Sequence, residues 1–284
     1  MNRRFRPKDP TRVSRFQREN LKKGVYILPN LFTSAGLLAG FYSIVATMNG
    51  QYTYAAWAVV VSLFCDGADG RVARMTRTTS RFGVEYDSLA DLVAFGVAPA
   101  LLAYQWALIP YGKWGWSAAF LYVVCGALRL ARYNVQIDNI ESVTFNGLPI
   151  PVAATLVVST ILLFHGQLDE NVKHVAVLVM IFVLALLMVS NVKFISFKQM
   201  EIRKRKPFTA FVGVILLGVF LVNEPAIGLF SLSAIYVAHG PIRSLILWRK
   251  KPARNGAPRA TDDAFQEDPN PEPPLDGTQN PTDR

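Results

Sequence analysis

The chain has 284 residues, of which 51% are hydrophobic and only 18% charged. This composition excludes an ordinary water-soluble domain, and repeated apolar stretches of about 18 to 25 residues indicate an integral membrane protein. The net charge of +10 does not indicate a nucleic-acid partner, because the basic residues cluster beside the ends of apolar segments, where they can contact membrane lipids.

The first segment, residues 1–24, carries nine Lys or Arg residues. No apolar core of the signal-peptide type follows directly, so we expect no cleaved leader. Val13, Phe16 and Leu21 could line one side of a basic amphipathic helix on the cytoplasmic membrane surface. A disordered cationic arm is the alternative.

Eight apolar segments follow, and together they predict an all-α, polytopic helical bundle that crosses the membrane about eight times. Their approximate bounds are 26–47, 54–75, 84–109, 116–136, 149–165, 175–192, 208–222 and 226–248. We expect them to form one transmembrane domain, residues 25–250.

The distribution of basic residues predicts the orientation of this domain. With the amino terminus in the cytoplasm, the predicted inside segments hold all but two of the 30 Lys and Arg residues, the exceptions being Lys113 and Lys173. Cytoplasmic loops accumulate such residues, so both termini are predicted to lie on the cytoplasmic side of the cytoplasmic membrane.

The last segment, residues 251–284, is rich in Pro, Asp, Asn and Gly and nearly free of large apolar residues. Such a sequence cannot bury enough apolar surface to offset the entropy lost on ordering. We therefore expect a disordered cytoplasmic tail.

Four carboxylates dominate the stretch from Cys65 to Asp91. Asp66 and Asp69 are three residues apart and Asp87 and Asp91 are four apart, so each pair shares one helix face. Carboxylates that converge between two helices repel one another, and divalent cations are the usual means of holding them together. The pattern predicts a site for Mg²⁺ or Mn²⁺, which prefer oxygen ligands.

Small residues separate these acids, among them Gly67, Gly70 and Ala73. Their lack of bulk would let a large ligand approach the helix backbone beside the metal, which suits a phosphate or pyrophosphate. The simpler alternative is that Asp66 and Asp69 are solvated helix-end residues paired with nearby arginines. That alternative does not explain the interspersed small residues.

The spacing of these residues resembles the signature of the CDP-alcohol phosphatidyltransferases. The matching residues are Asp66, Asp69, Gly70, Ala73, Arg74, Gly83, Asp87 and Asp91. The resemblance implies an intramembrane helical enzyme in which a CDP-linked lipid gives its phosphatidyl group to an alcohol and CMP is released. It also implies a homodimer.

Four accessory stretches are similar to those of the bacterial and archaeal phosphatidylserine synthases of this family. They are residues 28–33, 88–96, 127–134 and 145–151. This similarity implies CDP-diacylglycerol and L-serine as substrates. Glycerol 3-phosphate or an inositol compound is the alternative acceptor within the family.

The resemblance also implies roles for individual residues. Asp66, Asp69 and Asp87 would ligate metal, with two ions in the site, while Asp91 would either ligate the second ion or act as general base. We favour the base, because a carboxylate committed to a cation is a poorer base. The CDP-lipid would be bound by Asn30, Thr33, Gly70, Ala73, Arg74 and Gly83.

A serine-specific pocket needs a cation for the serine carboxylate, and an Arg fork pairs well with that group. Arg129 and Arg132 are the candidates, with Asn134 as a neutral partner and Arg81 as a further ligand for lipid or substrate phosphate. The alternative is that both arginines only obey positive-inside topology or touch lipid phosphate.

Two other functions compete with this interpretation. A cation-coupled transporter would place its binding groups near the membrane midplane in two related halves, whereas here all four acids lie in one stretch. A catalytically silent lipid-binding scaffold would have no need of the complete carboxylate set.

Overall fold

The structure is a computed structural model that describes residues 30–76, 80–137, 145–166, 175–194 and 207–249. The predicted basic segment, 1–24, and the predicted tail, 251–284, lie outside the described residues. The helices are α1 (Asn30–Met48), α2 (Tyr52–Thr76), α3 (Arg81–Tyr111), α4 (Lys113–Ile137), α5 (Ile150–Phe164), α6 (Val175–Val189), α7 (Pro207–Asn223) and α8 (Pro225–Arg249).

Each of the eight predicted apolar segments overlaps one of these helices, so the all-α prediction is confirmed for the described part of the chain. Four helices are long and apolar enough to cross a membrane, namely α1, α3, α4 and α8. Two shorter apolar helices, α5 and α6, have 15 residues each. The chain is thus an integral membrane protein built as a helical bundle.

The long helix α3 departs from the α-helical hydrogen-bonding pattern three times, which the sequence analysis did not predict. It contains two π-helical segments, Leu92–Val97 and Tyr104–Leu108, and ends in a 3₁₀ turn. Pro99 has no N–H to donate to the carbonyl of Phe95, four residues earlier. The hydroxyl of Tyr122 on α4 donates to that carbonyl instead, at 3.2 Å.

Helix α1 lies very close to both α2 and α3. A Cβ atom added at Gly40 would lie 2.7 Å from the Cα of Ala94 on α3. Gly36 lies one turn before Gly40 on α1, and its carbonyl accepts a 2.9 Å hydrogen bond from the hydroxyl of the buried Ser62 of α2. These contacts fix α1 against the helix pair that carries the four acidic residues.

A two-residue antiparallel ladder joins the segment before α5 to the segment after α6. It pairs β1 (Phe145–Asn146) with β2 (Lys193–Phe194). Phe194 is 1% exposed, and its ring stacks on Tyr236 of α8 with centroids 5.7 Å apart. The ladder therefore connects two interhelical segments to the last described helix.

Candidate active site

Three carboxylates from two consecutive helices meet at one point. Asp66 and Asp69 lie one turn apart on α2, Asp87 lies on α3, and their ligand oxygens are all within 4.8 Å of one another. Asp69 is buried, whereas the other two are half-buried. The predicted convergence of the two helices is therefore present in the fold.

Asp91 lies one turn beyond Asp87 and is not a member of this three-carboxylate group. Its carboxylate nevertheless interacts electrostatically with all three of those acids and with Arg129 of α4. The first π-helical segment of α3 begins at the next residue, Leu92. Asp91 thus lies near both the three-carboxylate group and a half-buried cation.

All four acids line one open cleft of about 180 Å³. The remaining lining residues are small or apolar, with two hydroxyls among them: Thr33, Gly36, Leu37, Ser62, Ala90 and Ala94. The cleft is therefore acidic on the side of α2 and α3, whereas α1 contributes one hydroxyl and two small or apolar residues.

Thr33, predicted to bind the CDP-lipid, contacts one of the acids directly. Its hydroxyl donates a 2.9 Å hydrogen bond to Oδ2 of Asp69, and both residues are buried, at 6% and 5% exposure. The bond orients one oxygen of Asp69, and the backbone N–H of Gly70 also donates to this carboxylate.

The first turn of α3 holds Gly83 close to Asn30, another residue predicted to bind the lipid. Ser80 caps this helix by accepting a 3.0 Å hydrogen bond from the Gly83 N–H. A Cβ at Gly83 would lie 3.1 Å from the Ser80 hydroxyl and 3.4 Å from Oδ1 of Asn30. A side chain at this position would therefore crowd both neighbours.

The surface beside the acids on α2 is open. Among the described residues, nothing beyond its own stretch of α2 lies within 4 Å of a Cβ added at Gly70, and Arg74, one turn further on, is exposed. The backbone of Ala73 continues the same helix between them. A bulky ligand could approach α2 here, as the sequence pattern predicts.

The structure separates the residues predicted to bind the acceptor. Arg129 faces Asp91, and it also interacts electrostatically with Tyr133 and with Tyr236 of α8. Its Nε atom is buried and has no hydrogen-bond partner among the described residues.

None of the four acceptor candidates is among the residues that line the cleft. Arg132 donates a 3.0 Å hydrogen bond to Oδ1 of Asn191, after α6. Asn134 donates to Glu85 and Ser88 of α3, at 3.1 Å and 3.0 Å. Arg81 is exposed in the first turn of α3. Of these candidates, Arg129 is the one beside the acids.

The sequence analysis missed Ser62 and Tyr236. Ser62 lies four residues before Asp66, so helical periodicity alone could have placed it on the same face. Tyr236 is far from the acids in sequence and lies on a helix that was assigned no function, so no local signal could have identified it.

The three-carboxylate group fits a divalent cation. It offers oxygen atoms at a spacing that one ion could bridge, and oxygen is the ligand that Mg²⁺ and Mn²⁺ prefer. Negative charges this close destabilise one another, and a bound cation would offset that repulsion.

The sequence matches known proteins over most of its length. The family model described as CDP-alcohol phosphatidyltransferase matches residues 26–189. A CDP-diacylglycerol–serine O-phosphatidyltransferase of Helicobacter pylori is 40% identical over 228 residues, covering 80% of this chain and 94% of the relative.

More distant relatives carry related names. A Bacillus subtilis protein named CDP-diacylglycerol–serine O-phosphatidyltransferase is 34% identical over 61% of this chain and 92% of its own length. An archaetidylserine synthase of Methanothermobacter thermautotrophicus is 34% identical over 59% of this chain and 69% of its own length.

Proposed function

Because this chain belongs to the CDP-alcohol phosphatidyltransferase family, we propose that it transfers the phosphatidyl group of CDP-diacylglycerol to the hydroxyl of L-serine. The products are phosphatidylserine and CMP. The observation that carries the reaction class is the three-carboxylate group at the cleft. The names of the bacterial relatives support serine as the acceptor.

Asp66, Asp69 and Asp87 would hold the divalent cations, two Mg²⁺ or Mn²⁺ ions per site. When bound, such ions neutralise the charge of a diphosphate and stabilise displacement at phosphorus. Thr33 supports this assignment, because its hydrogen bond keeps one oxygen of Asp69 in place.

Asp91 is the general base. It removes the proton of the serine hydroxyl as the serine oxygen forms a bond to the lipid-side phosphorus. The bond from that phosphorus to the CMP oxygen breaks, and its electron pair leaves with CMP. The place of Asp91 in the cleft but outside the three-carboxylate group supports this role, since a carboxylate that does not ligate metal remains available to accept a proton.

The CDP portion of the donor lies along α2, over the open surface at Gly70, and Ala73 belongs to the same binding site. Arg74 is exposed and available to pair with the diphosphate, which forms charge-assisted hydrogen bonds with guanidinium groups. Asn30 and Gly83 close this pocket from the starts of α1 and α3, and their proximity supports a shared role.

The serine carboxylate binds Arg129, which faces Asp91 from α4. Asn134 and Arg132 contribute by holding α4 against α3 and against the segment after α6. Arg81 contacts lipid or substrate phosphate from the first turn of α3.

The helical bundle crosses the membrane eight times, with the active site and both termini on the cytoplasmic side. In this arrangement residues 25–250 form the catalytic domain, between the basic segment and the tail. The acyl chains of the donor extend sideways into lipid. Large apolar side chains exposed on α1, such as Leu38 and Phe41, support contact with lipid or with the second copy of a homodimer.

Release of CMP by the purified protein tests the function. CDP-diacylglycerol and Mg²⁺ or Mn²⁺ would be supplied with L-serine, glycerol 3-phosphate or an inositol phosphate in parallel. We expect release with serine, loss of release on chelation with EDTA, and recovery on adding back the metal. Asp87→Asn is the matched inactive control. Release with glycerol 3-phosphate but not with serine would overturn the acceptor assignment, and release that persists in EDTA would overturn the metal site.

A further inference from the structure

Arg129 has a neighbour on the last described helix as well as among the acids. It interacts electrostatically with Tyr236 of α8 and with Asp91 of α3. It is therefore near both the predicted base and an aromatic residue that belongs to a different part of the fold.

The ring of Tyr236 is held in position by its packing against Phe194. Its ring stacks on the buried ring of Phe194 at 5.7 Å, with 18° between the two planes. A Cβ at Gly240, one turn further along α8, would overlap the ring of Phe194. Glycine at this position lets Phe194 lie against α8, and Phe194 in turn supports the ring of Tyr236.

Helix α8 lies outside the part of the chain that the family model matches, which ends at residue 189. The residues assigned to the metal and the CDP-lipid all lie inside that part. A hydroxyl on α8 near Arg129 is therefore better suited to recognising the particular acceptor than to taking part in the chemistry of the donor.

The guanidinium of Arg129 also has capacity for a ligand. Its buried Nε has no hydrogen-bond partner among the described residues, and a buried donor of this kind is costly to leave unpaired. Nε and a terminal nitrogen form one edge of the guanidinium fork, which binds both oxygens of a carboxylate.

We propose that Tyr236 completes the acceptor pocket, where its hydroxyl and the Arg129 guanidinium together hold the carboxylate of the amino-acid acceptor. Phe194 and Gly240 are positioning residues that set the place of the Tyr236 ring. The inference rests on the proposed function, since it takes the acceptor to be a small molecule with a carboxylate close to its hydroxyl.

Tyr236→Phe tests the pocket, because it removes the hydroxyl and keeps the stacked ring. Losing a hydrogen bond to a charged group should raise the KM for serine about tenfold or more. The KM for CDP-diacylglycerol should stay within about twofold, and this second measurement shows that the variant is folded. Tyr52→Phe is the matched control, since Tyr52 is also half-buried and packed on an aromatic ring, that of His165.

Serinamide, in which the carboxylate is replaced by an amide, gives a second readout. The unmodified protein should have a higher kcat/KM for serine than for serinamide. The ratio of these two values should be smaller in Tyr236→Phe and unchanged in Tyr52→Phe. Phe194→Leu should raise the KM for serine selectively too, because the Tyr236 ring loses its support.

An unchanged KM for serine in Tyr236→Phe, or an equal rise in the KM of both substrates, would overturn the inference. Failure of the proposed function looks different. If the unmodified protein releases CMP only with glycerol 3-phosphate, serine is not the acceptor, and the role of Tyr236 in binding a carboxylate falls with it.

Discussion

Thr33 on α1 and Asp69 on α2 are joined by a buried hydrogen bond of 2.9 Å. The first described helix thereby reaches the acids that lie on the next two helices. Because the hydroxyl has a single proton to donate, the bond also fixes the direction in which Thr33 points.

Thr33→Val should weaken metal binding, because it replaces the hydroxyl by a methyl group of similar size and leaves Asp69 without this donor. A hydrogen bond to a charged group contributes about 1.5–3 kcal/mol. We expect the concentration of Mg²⁺ or Mn²⁺ at half-maximal CMP release to rise about tenfold or more. Thr33→Ser retains the hydroxyl and should behave nearly as the unmodified protein; equal damage by both substitutions would contradict this role of the hydrogen bond.

Asp91→Asn should abolish most of the turnover with little effect on the metal requirement. Loss of a general base lowers rates by about 10²- to 10⁴-fold. Because Asp91 is not a member of the three-carboxylate group, the half-activating metal concentration should change only a few-fold, measured on the residual activity. A large increase in that concentration would instead make Asp91 a metal ligand.

Gly40→Ala should destabilise the bundle, because the new Cβ would lie 2.7 Å from the Cα of Ala94. Overpacking of this kind costs about 1–3 kcal/mol, so the midpoint of thermal unfolding in detergent should fall. Gly218→Ala on α7 is the control, since in the described part of the chain its added Cβ would meet nothing within 4 Å outside its own helix. Equal midpoints for the two variants would show that α1 and α3 are not in close contact at Gly40.

Tyr122→Phe should destabilise the protein by leaving the carbonyl of Phe95 without this donor. An unsatisfied buried polar group costs about 1–3 kcal/mol, and thermal unfolding should report the loss. Tyr52→Phe is again a suitable comparison, because its hydroxyl donates a longer bond, 3.4 Å, to the carbonyl of Gln105 at an exposed position. A loss in Tyr122→Phe no greater than that in Tyr52→Phe would contradict the importance of the buried bond.

The sequence predicted the acidic part of the site well, because its geometry is local. Helical periodicity alone places Asp66 and Asp69 on one face and Asp87 one turn from Asp91. The eight helices were predictable for the same reason, since each is marked by its own apolar stretch.

The acceptor side was predicted less well, because it depends on how distant helices pack. Arg129 and Arg132 are three residues apart and looked equivalent in sequence, yet one faces Asp91 and the other bonds to Asn191. The support of Tyr236 by Phe194 depends on the ladder and on Gly240, which are long-range features. The hydrogen bond from Tyr122 to the carbonyl of Phe95, in the first π-helical segment of α3, is likewise a contact between two helices.

The acids proposed to bind metal come from α2 and α3, which follow one another directly in the chain, whereas Tyr236 lies on the last described helix. Contacts between neighbouring helices close short loops and form readily, whereas contacts across most of the chain form more slowly. As the protein is synthesised from its amino terminus, the proposed nucleotide half of the site can be assembled before the ribosome has made the helix that carries Tyr236. If both proposals hold, a truncated chain that ends before α8 would keep the acidic helix pair and lack the residue proposed to complete the acceptor pocket.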